Sequence, residues 1–81
     1  MDQRLRDLSL RTEAIVDRVE DLQSPDPIAA RLRDLGFVAG EVVQVVATGP
    51  IGGDPLVVLV GYTRFALRRA EAARVFVRAA A

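Results

Sequence analysis

The apolar positions of this chain change their period several times, and each change marks the start of a new element. Residues 12–20 are rich in β-branched side chains and are bounded by polar ones, which predicts a first strand. Ala14, Val16 and Arg18 alternate there with Ile15, Asp17 and Val19. Ile15 and Val19 share a face only if Asp17 lies at an edge or the strand carries a bulge. Residues 21–25 hold turn formers. From Ile28 the period lengthens. Ile28, Leu32 and Leu35 recur at i, i+4 and i+7, the apolar stripe of a helix. Asp26 is placed to cap that helix and Pro27 to occupy its first position, where a missing N–H costs nothing. Gly36 is placed to end it in the left-handed conformation, with Phe37 folding back onto Leu32. Arg31, Arg33 and Asp34 fall on the wet side, and Gly40 gives a second turn.

Beyond Gly40 the period returns to two. Residues 41–48 predict a second strand with Val43, Val45 and Ala47 facing inward. Residues 49–55, from Gly49 through Pro50 to Pro55, form a loop by composition. Residues 56–60 are apolar on both faces, which predicts a central or covered third strand. A turn over 61–64 leads to a fourth strand at 65–68, with Phe65 and Leu67 on one side. Residues 69–74 read as a turn of helix and 75–77 as a closing fifth strand. Residues 1–8 are expected to be a weakly ordered lead-in, 9–78 a single domain and 79–81 a frayed tail. Five short strands, with one helix inserted after the first and a helical turn before the last, point to a mainly β protein. The expected architecture is a small closed or partly open barrel.

Composition narrows the chemistry. The 81 residues fit one domain and hold no cysteine and no histidine, and all eleven basic residues are arginine. No serine or threonine therefore has a histidine to activate it, and the usual transition-metal ligand sets are missing. Asp21 with Asp26, or with Glu20, offers oxygen ligands, although helix capping and solvated loop carboxylates are the commoner use of such residues. Acidic residues also number eleven, so the formal net charge is zero. That balance argues against a nucleic-acid partner. The longest apolar run, residues 56–60, falls far short of the roughly 20 residues that cross a bilayer. The N-terminus carries no apolar signal core. A soluble, cytoplasmic protein is expected.

Two features invite a binding reading. The loop G-P-I-G-G-D-P has the glycines of a phosphate loop, but no lysine follows and a strand comes next. A turn in which Asp54 bonds nearby backbone N–H groups fits better. Arg68 and Arg69 either meet a partner's carboxylates or pair with Glu71 or Asp54.

Three stretches together resemble the ferrous iron transport protein A family, FeoA. They are R-L-R-D-L-G-F-V-A-G-E-V-V-Q-V-V at 31–46, P-I-G-G-D-P at 50–55 and F-A-L-R-R-A-E-A-A-R-V-F-V at 65–77. The resemblance spans about residues 9 to 77. Ala39 stands where the family usually has proline, and Gly52 with Gly53 lengthens the loop. All such departures lie in turns, where a fold tolerates change. The motif positions carried over are Asp26, Leu32, Leu35, Gly36, Phe37, Gly40, Pro50, Pro55 and Leu67.

The resemblance implies a five-stranded SH3-like barrel and a small non-enzymatic accessory protein of bacterial ferrous iron uptake. It implies docking on the cytosolic part of a FeoB-type permease, so that the membrane is met only through that permease. It implies no firm cofactor, with ferrous iron a weak candidate, and it leaves homo-oligomers open. The expected docking surface is Arg31, Arg33, Asp34, Ile51, Asp54 and Arg68. The alternatives are a carboxylate-based ferrous iron sensor or carrier, and a stand-alone relative of the barrel domain of iron-dependent repressors. An arginine supplied in trans to the permease's GTPase is a variant of docking, with Arg31, Arg64 and Arg68 as candidates.

Overall fold

The computed structural model describes residues 3–80. Met1, Asp2 and Ala81, parts of the expected lead-in and tail, lie outside the described residues. Six strands form one antiparallel sheet: β1 (Gln3–Arg4), β2 (Ala14–Val19), β3 (Val42–Gly49), β4 (Gly53–Val60), β5 (Thr63–Leu67) and β6 (Val75–Ala79). Their order is β1-β6-β2-β3-β4-β5. Helix α1 (Pro27–Asp34) is inserted between β2 and β3, and the short α2 (Arg69–Ala72) sits between β5 and β6. The expected mainly β class holds. The sheet is not closed, however: β1 and β5 are its edges, and there are six strands rather than five.

The extra strand lies in the stretch expected to be a loose lead-in. Gln3 and Arg4 pair with Val77 and Phe76, and a 3₁₀ turn over Leu5–Asp7 follows. Leu5 is 0% exposed, so one apolar side chain anchors a segment too short and too charged to show any period. At the other end Ala79 pairs with Ala14, so β6 runs into the expected tail.

Bulges decide which side chains face the core. In β2 the register against β6 shifts between Val16 and Arg18, so that Ala14, Val16 and Val19 are all buried. Asp17 is the extra residue and points out, which resolves the phase conflict seen in the sequence. In β3 the register against β4 shifts between Val45 and Ala47. Val43 and Val45 face inward, but the extra residue Val46 turns Ala47 to the surface. Strict alternation had placed Ala47 inside. β4 is central to its sheet, with Leu56, Val58 and Val60 buried and Val57 and Leu59 half-buried on the outer side.

Helix α1 covers the core by a different stripe from the one expected. Ala29 and Leu32 are fully buried and Leu35 is half-buried, whereas Ile28 is 39% exposed. The helix is rotated so that Ala29 rather than Ile28 is buried. Its end is as expected: Gly36 N–H bonds to Arg33 O at 3.1 Å and Phe37 N–H to Leu32 O at 3.1 Å. Gly36 has φ +112°. This is the Schellman pattern, with buried Phe37 meeting buried Leu32 across the turn. Phe37 also meets Phe65 of β5, ring centroids 6.3 Å apart. Phe76 is buried on the other side of β6, with the Arg4 and Arg18 guanidinium carbons 4.7 Å and 4.0 Å from its ring centroid.

If the N-terminal strand is integral to the fold, Leu5→Ala lowers the unfolding free energy by about 2–4 kcal/mol. Urea denaturation measures it, and a change below about 0.5 kcal/mol would show that the segment contributes nothing.

Candidate functional site

The carboxylate of Asp26 is the polar centre of the inserted region. One oxygen accepts from Ile28 N at 3.0 Å and Ala29 N at 3.1 Å, capping α1. The other accepts from Leu22 N at 2.9 Å and from the Arg74 guanidinium. Asp26 is buried, and the hydrogen bonds from Leu22 and Ala29 with the Arg74 charge hold its carboxyl below the usual range, against the cost of desolvation. The capping role was legible in the sequence. The arginine 48 positions away was not, because nothing local signals it. Asp21 is likewise held below its ordinary pKa, chiefly by its hydrogen bonds from Arg33.

These pairings remove Asp21 and Asp26 as open metal ligands. Among the described residues no three His, Cys, Asp or Glu side chains converge as a metal site. The side chains of the described residues do not fit an iron site within one chain.

The six expected docking residues divide into two groups. Arg33 donates to Val19 O at 2.8 Å and to Asp21 at 2.6 Å, so it holds α1 against the end of β2. Asp34 is exposed at the end of α1. The other four come together around α2. The β3–β4 turn bridges Ile51 to Asp54, and Asp54 accepts from Arg69 N at 3.0 Å. Glu71 accepts from Arg68 N at 2.8 Å and from Arg31 at 2.9 Å. A chain of contacts thus runs from Ile51 through Asp54, the adjoining Arg69 and Arg68 backbone, and Glu71 to Arg31. Glu71 and Asp54 do meet Arg68 and Arg69, but they take the backbone N–H groups rather than pairing with the side chains. Ile51 stands 83% exposed at the tip of the turn. Gly49 lets this turn close, since a Cβ there would collide with the Asp54 carbonyl. Pro50 and Pro55 frame the turn, Gly40 takes φ +94° beside β3, and Leu67 is fully buried at the end of β5.

One surface feature escaped the sequence reading. A groove of about 420 Å³ runs along Glu13, Glu41, Val42, Leu59 and Tyr62, and it shares none of the six docking residues. Tyr62, in the β4–β5 turn, is fully exposed.

The FeoA domain family matches residues 3–79. The chain belongs to the FeoA family. Its structure is similar to that of FeoA from Stenotrophomonas maltophilia in complex with zinc, at 59% identity and a TM-score of 0.85, covering 93% of this chain and 88% of that one. It is similar to a FeoA protein from Chlorobium tepidum at 30% identity and a TM-score of 0.83, covering 98% of this chain and 71% of that one. It also resembles iron(II) transport protein A from Clostridium thermocellum at 29% identity and a TM-score of 0.84, covering 96% of this chain and 46% of that one. The S. maltophilia protein is described as a procaryotic SH3 domain protein. A manganese-dependent transcriptional repressor shares the fold at 15% identity and a TM-score of 0.82, with 41% of its length covered. No curated protein matches the chain. No helix among the described residues is long and apolar enough to cross a membrane.

Asp21 and Asp26 both have folded pKa values below the ordinary 3.8. Such groups stabilise the folded chain above the unfolded pKa, and that contribution disappears as pH falls toward the folded value. Stability should therefore drop as the pH goes below about 3.8. Asp26→Asn, lacking the charge, should be less stable at pH 7 and show a shallower acid limb. Denaturant midpoints across pH 2–7 measure both (range set by ordinary carboxylate titration, roughly pH 2–5). Parallel acid limbs would show that Asp26 contributes nothing to the pH dependence.

Proposed function

We propose that this FeoA-family chain is a non-enzymatic, cytoplasmic accessory protein of bacterial ferrous iron uptake, and that it docks on the cytosolic, GTP-hydrolysing part of a FeoB-type permease. The family match over residues 3–79 carries this reading. The S. maltophilia relative, 59% identical, has been put forward as a bacterial ferrous iron transport activating factor. The chain's own chemistry fits an interaction module. It has no histidine or cysteine. The carboxylates Asp21, Asp26, Asp54 and Glu71 are occupied by arginines or backbone N–H groups.

The docking surface consists of Ile51 with Arg68, backed by Asp54 and Arg31. Ile51 supplies an exposed apolar anchor, and Arg68, next in the chain to the Arg69 N–H that Asp54 takes, supplies charge. Arg33 and Asp34 lie at the edge of this reading, Arg33 because it is occupied within the fold. In a pull-down of the permease's cytosolic domain, loaded with GTP and with GDP, Ile51→Asp or Arg68→Glu should weaken capture about 10-fold or more, the loss of one interface anchor. Normal capture by both variants would move the surface elsewhere. No capture of the unaltered chain in either nucleotide state would remove direct docking.

The zinc in the S. maltophilia structure prompts a second reading, a divalent-metal carrier. It requires carboxylates from more than one chain, since none converge within this one among the described residues. Under the docking reading, anaerobic titration with ferrous iron finds no stoichiometric micromolar site. Such a site, abolished by Asp→Asn changes, would favour the carrier.

A further inference from the structure

The β5 edge combines an open backbone ladder with unpaired positive charge. β5 pairs with β4 on one side and has no strand on the other. The two-residue turn Gly61–Tyr62 makes Val60 and Thr63 the closing pair of that hairpin. Alternation from this pair turns the N–H and C=O groups of Arg64 and Ala66 away from β4, toward the open side. Among the described residues, no backbone hydrogen bond outside the regular elements uses residues 63–67. The edge is therefore unsatisfied except by water.

The side chains give this edge a sign. Arg64, Ala66 and Arg68 share one face, because Arg68 continues the extended backbone of β5 with φ −65° and ψ 148°. All three are exposed. Six other arginines are committed to acidic partners: Arg4 to Glu20, Arg6 to Asp7, Arg18 to Asp17, Arg31 to Glu71, Arg33 to Asp21 and Arg74 to Asp26. The Arg64 and Arg68 guanidinium groups form no ion pair with any described residue. The nearest carboxylates, Asp54 and Glu71, are taken by backbone N–H groups and by Arg31. On this face the acids Glu13 and Glu41 lie on the β2–β3 side, across β4 from β5.

We propose that β5 is a docking edge for an extended acidic segment of a partner protein, which adds to the sheet as a seventh strand. Backbone bonds to Arg64 and Ala66 supply the affinity, and carboxylates four residues apart on the added strand meet Arg64 and Arg68. Those two positions are separated by about 13 Å along an extended chain. A small or β-branched residue between the carboxylates packs over Ala66 and Val57. A second copy of this chain is the poorer occupant. Antiparallel pairing of two β5 strands would gather four arginines on one face, and like charges across strands repel. The proposal does not depend on the transport reading, because its test contains no permease.

The probe is a fluorescein-labelled, end-capped nine-residue peptide with glutamates at its third and seventh positions and valine and threonine elsewhere. Anisotropy at low salt should show saturable binding to the full chain. Replacing both glutamates by lysine should weaken it about 10-fold or more. N-methylation of the peptide on alternate residues should abolish it in one phase and spare it in the other. Combining Arg64→Glu with Arg68→Glu should abolish binding of the glutamate peptide and confer binding of the lysine peptide. This swap keeps the test meaningful if either charge change alters stability. Ala66→Pro, which removes one outward N–H, should weaken binding while leaving the unfolding midpoint of an edge position nearly unchanged.

Equal binding of both peptides, indifference to N-methylation, or failure of the charge swap would overturn the proposal. So would sedimentation showing a dimer that Ala66→Pro dissociates and the peptide cannot displace, which would make a second copy the occupant. If no peptide binds and the charge-swapped chain aggregates, the arginines serve only to guard the edge, and the proposal fails.

Discussion

Four donors converge on the Asp26 carboxylate, and between them they fasten the inserted segment to the sheet. Two are free N–H groups at the start of α1, one is Leu22 in the loop before it, and the fourth is Arg74, between α2 and β6. A buried carboxylate is costly unless its oxygens are satisfied, and here each oxygen accepts twice. The arginine supplies the opposing charge, and its carbonyl accepts from Glu20 N at 2.8 Å as the end of β2 meets the same corner. The position of α1 over the core therefore depends on a residue almost at the other end of the chain. Once α1 is held, Ala29 and Leu32 cover the core and the Gly36 turn delivers Phe37 to its place beside Phe65. Shortening or removing this contact would free the whole insertion rather than one side chain.

The second constraint is the phase of the strands. A small sheet must place valines inward from strands that bend sharply, and an unbroken alternation cannot follow that curve. The bulges at Asp17 and Val46 each add one residue and so reverse the face of the residues beyond it. Val19 reaches the core only because of the first. Ala47 leaves it because of the second. The core is built mostly of valine and leucine with one aromatic, Phe37, and the other buried ring, Phe76, is met by two arginine guanidinium groups. Arginine here serves as a packing residue as well as a charge.

Local signals in the sequence carried most of the fold. The helix cap at Asp26, the Gly36 terminator, the order of the elements and the presence of a turn after β3, which spans 50–52 rather than the expected 49–55, all depend on residues within a few positions of one another. Pairing at a distance left no such local mark. Leu5 sits in a charged, aperiodic stretch, and only its partner strand β6 makes it core. Ile28 fits an ideal helical stripe, but the sheet sets the rotation of α1 and prefers Ala29. The candidate surface was affected in the same way. Arg31 and Arg33 look like free charges in the sequence, and each is tied to a carboxylate remote in the chain. Ile51 and Arg68 remained available because their neighbours Asp54 and Glu71 bond to backbone instead. Exposed residues are legible as polar, but whether they are already spoken for is decided by the fold.

The placement of charge on this molecule shows why its zero net charge is a poor guide to its surface. Acids and arginines cancel in number. They do not cancel in place, because a carboxylate such as Asp54 is taken by a backbone N–H group rather than by an arginine. Asp54 capping Arg69 N and Glu71 capping Arg68 N both occur at the start of α2, directly after β5. The same two bonds that fix α2 occupy the carboxylates nearest β5, and positive charge remains along that edge of the sheet. At the opposite edge the short β1 carries Arg4, whose guanidinium lies over Phe76 and donates to Ala73 O. The chain thus presents an open ladder and a local excess of charge at the same place. Both lie on β5, and backbone pairing with charge selection is a sufficient basis for recognising a partner without any catalytic chemistry.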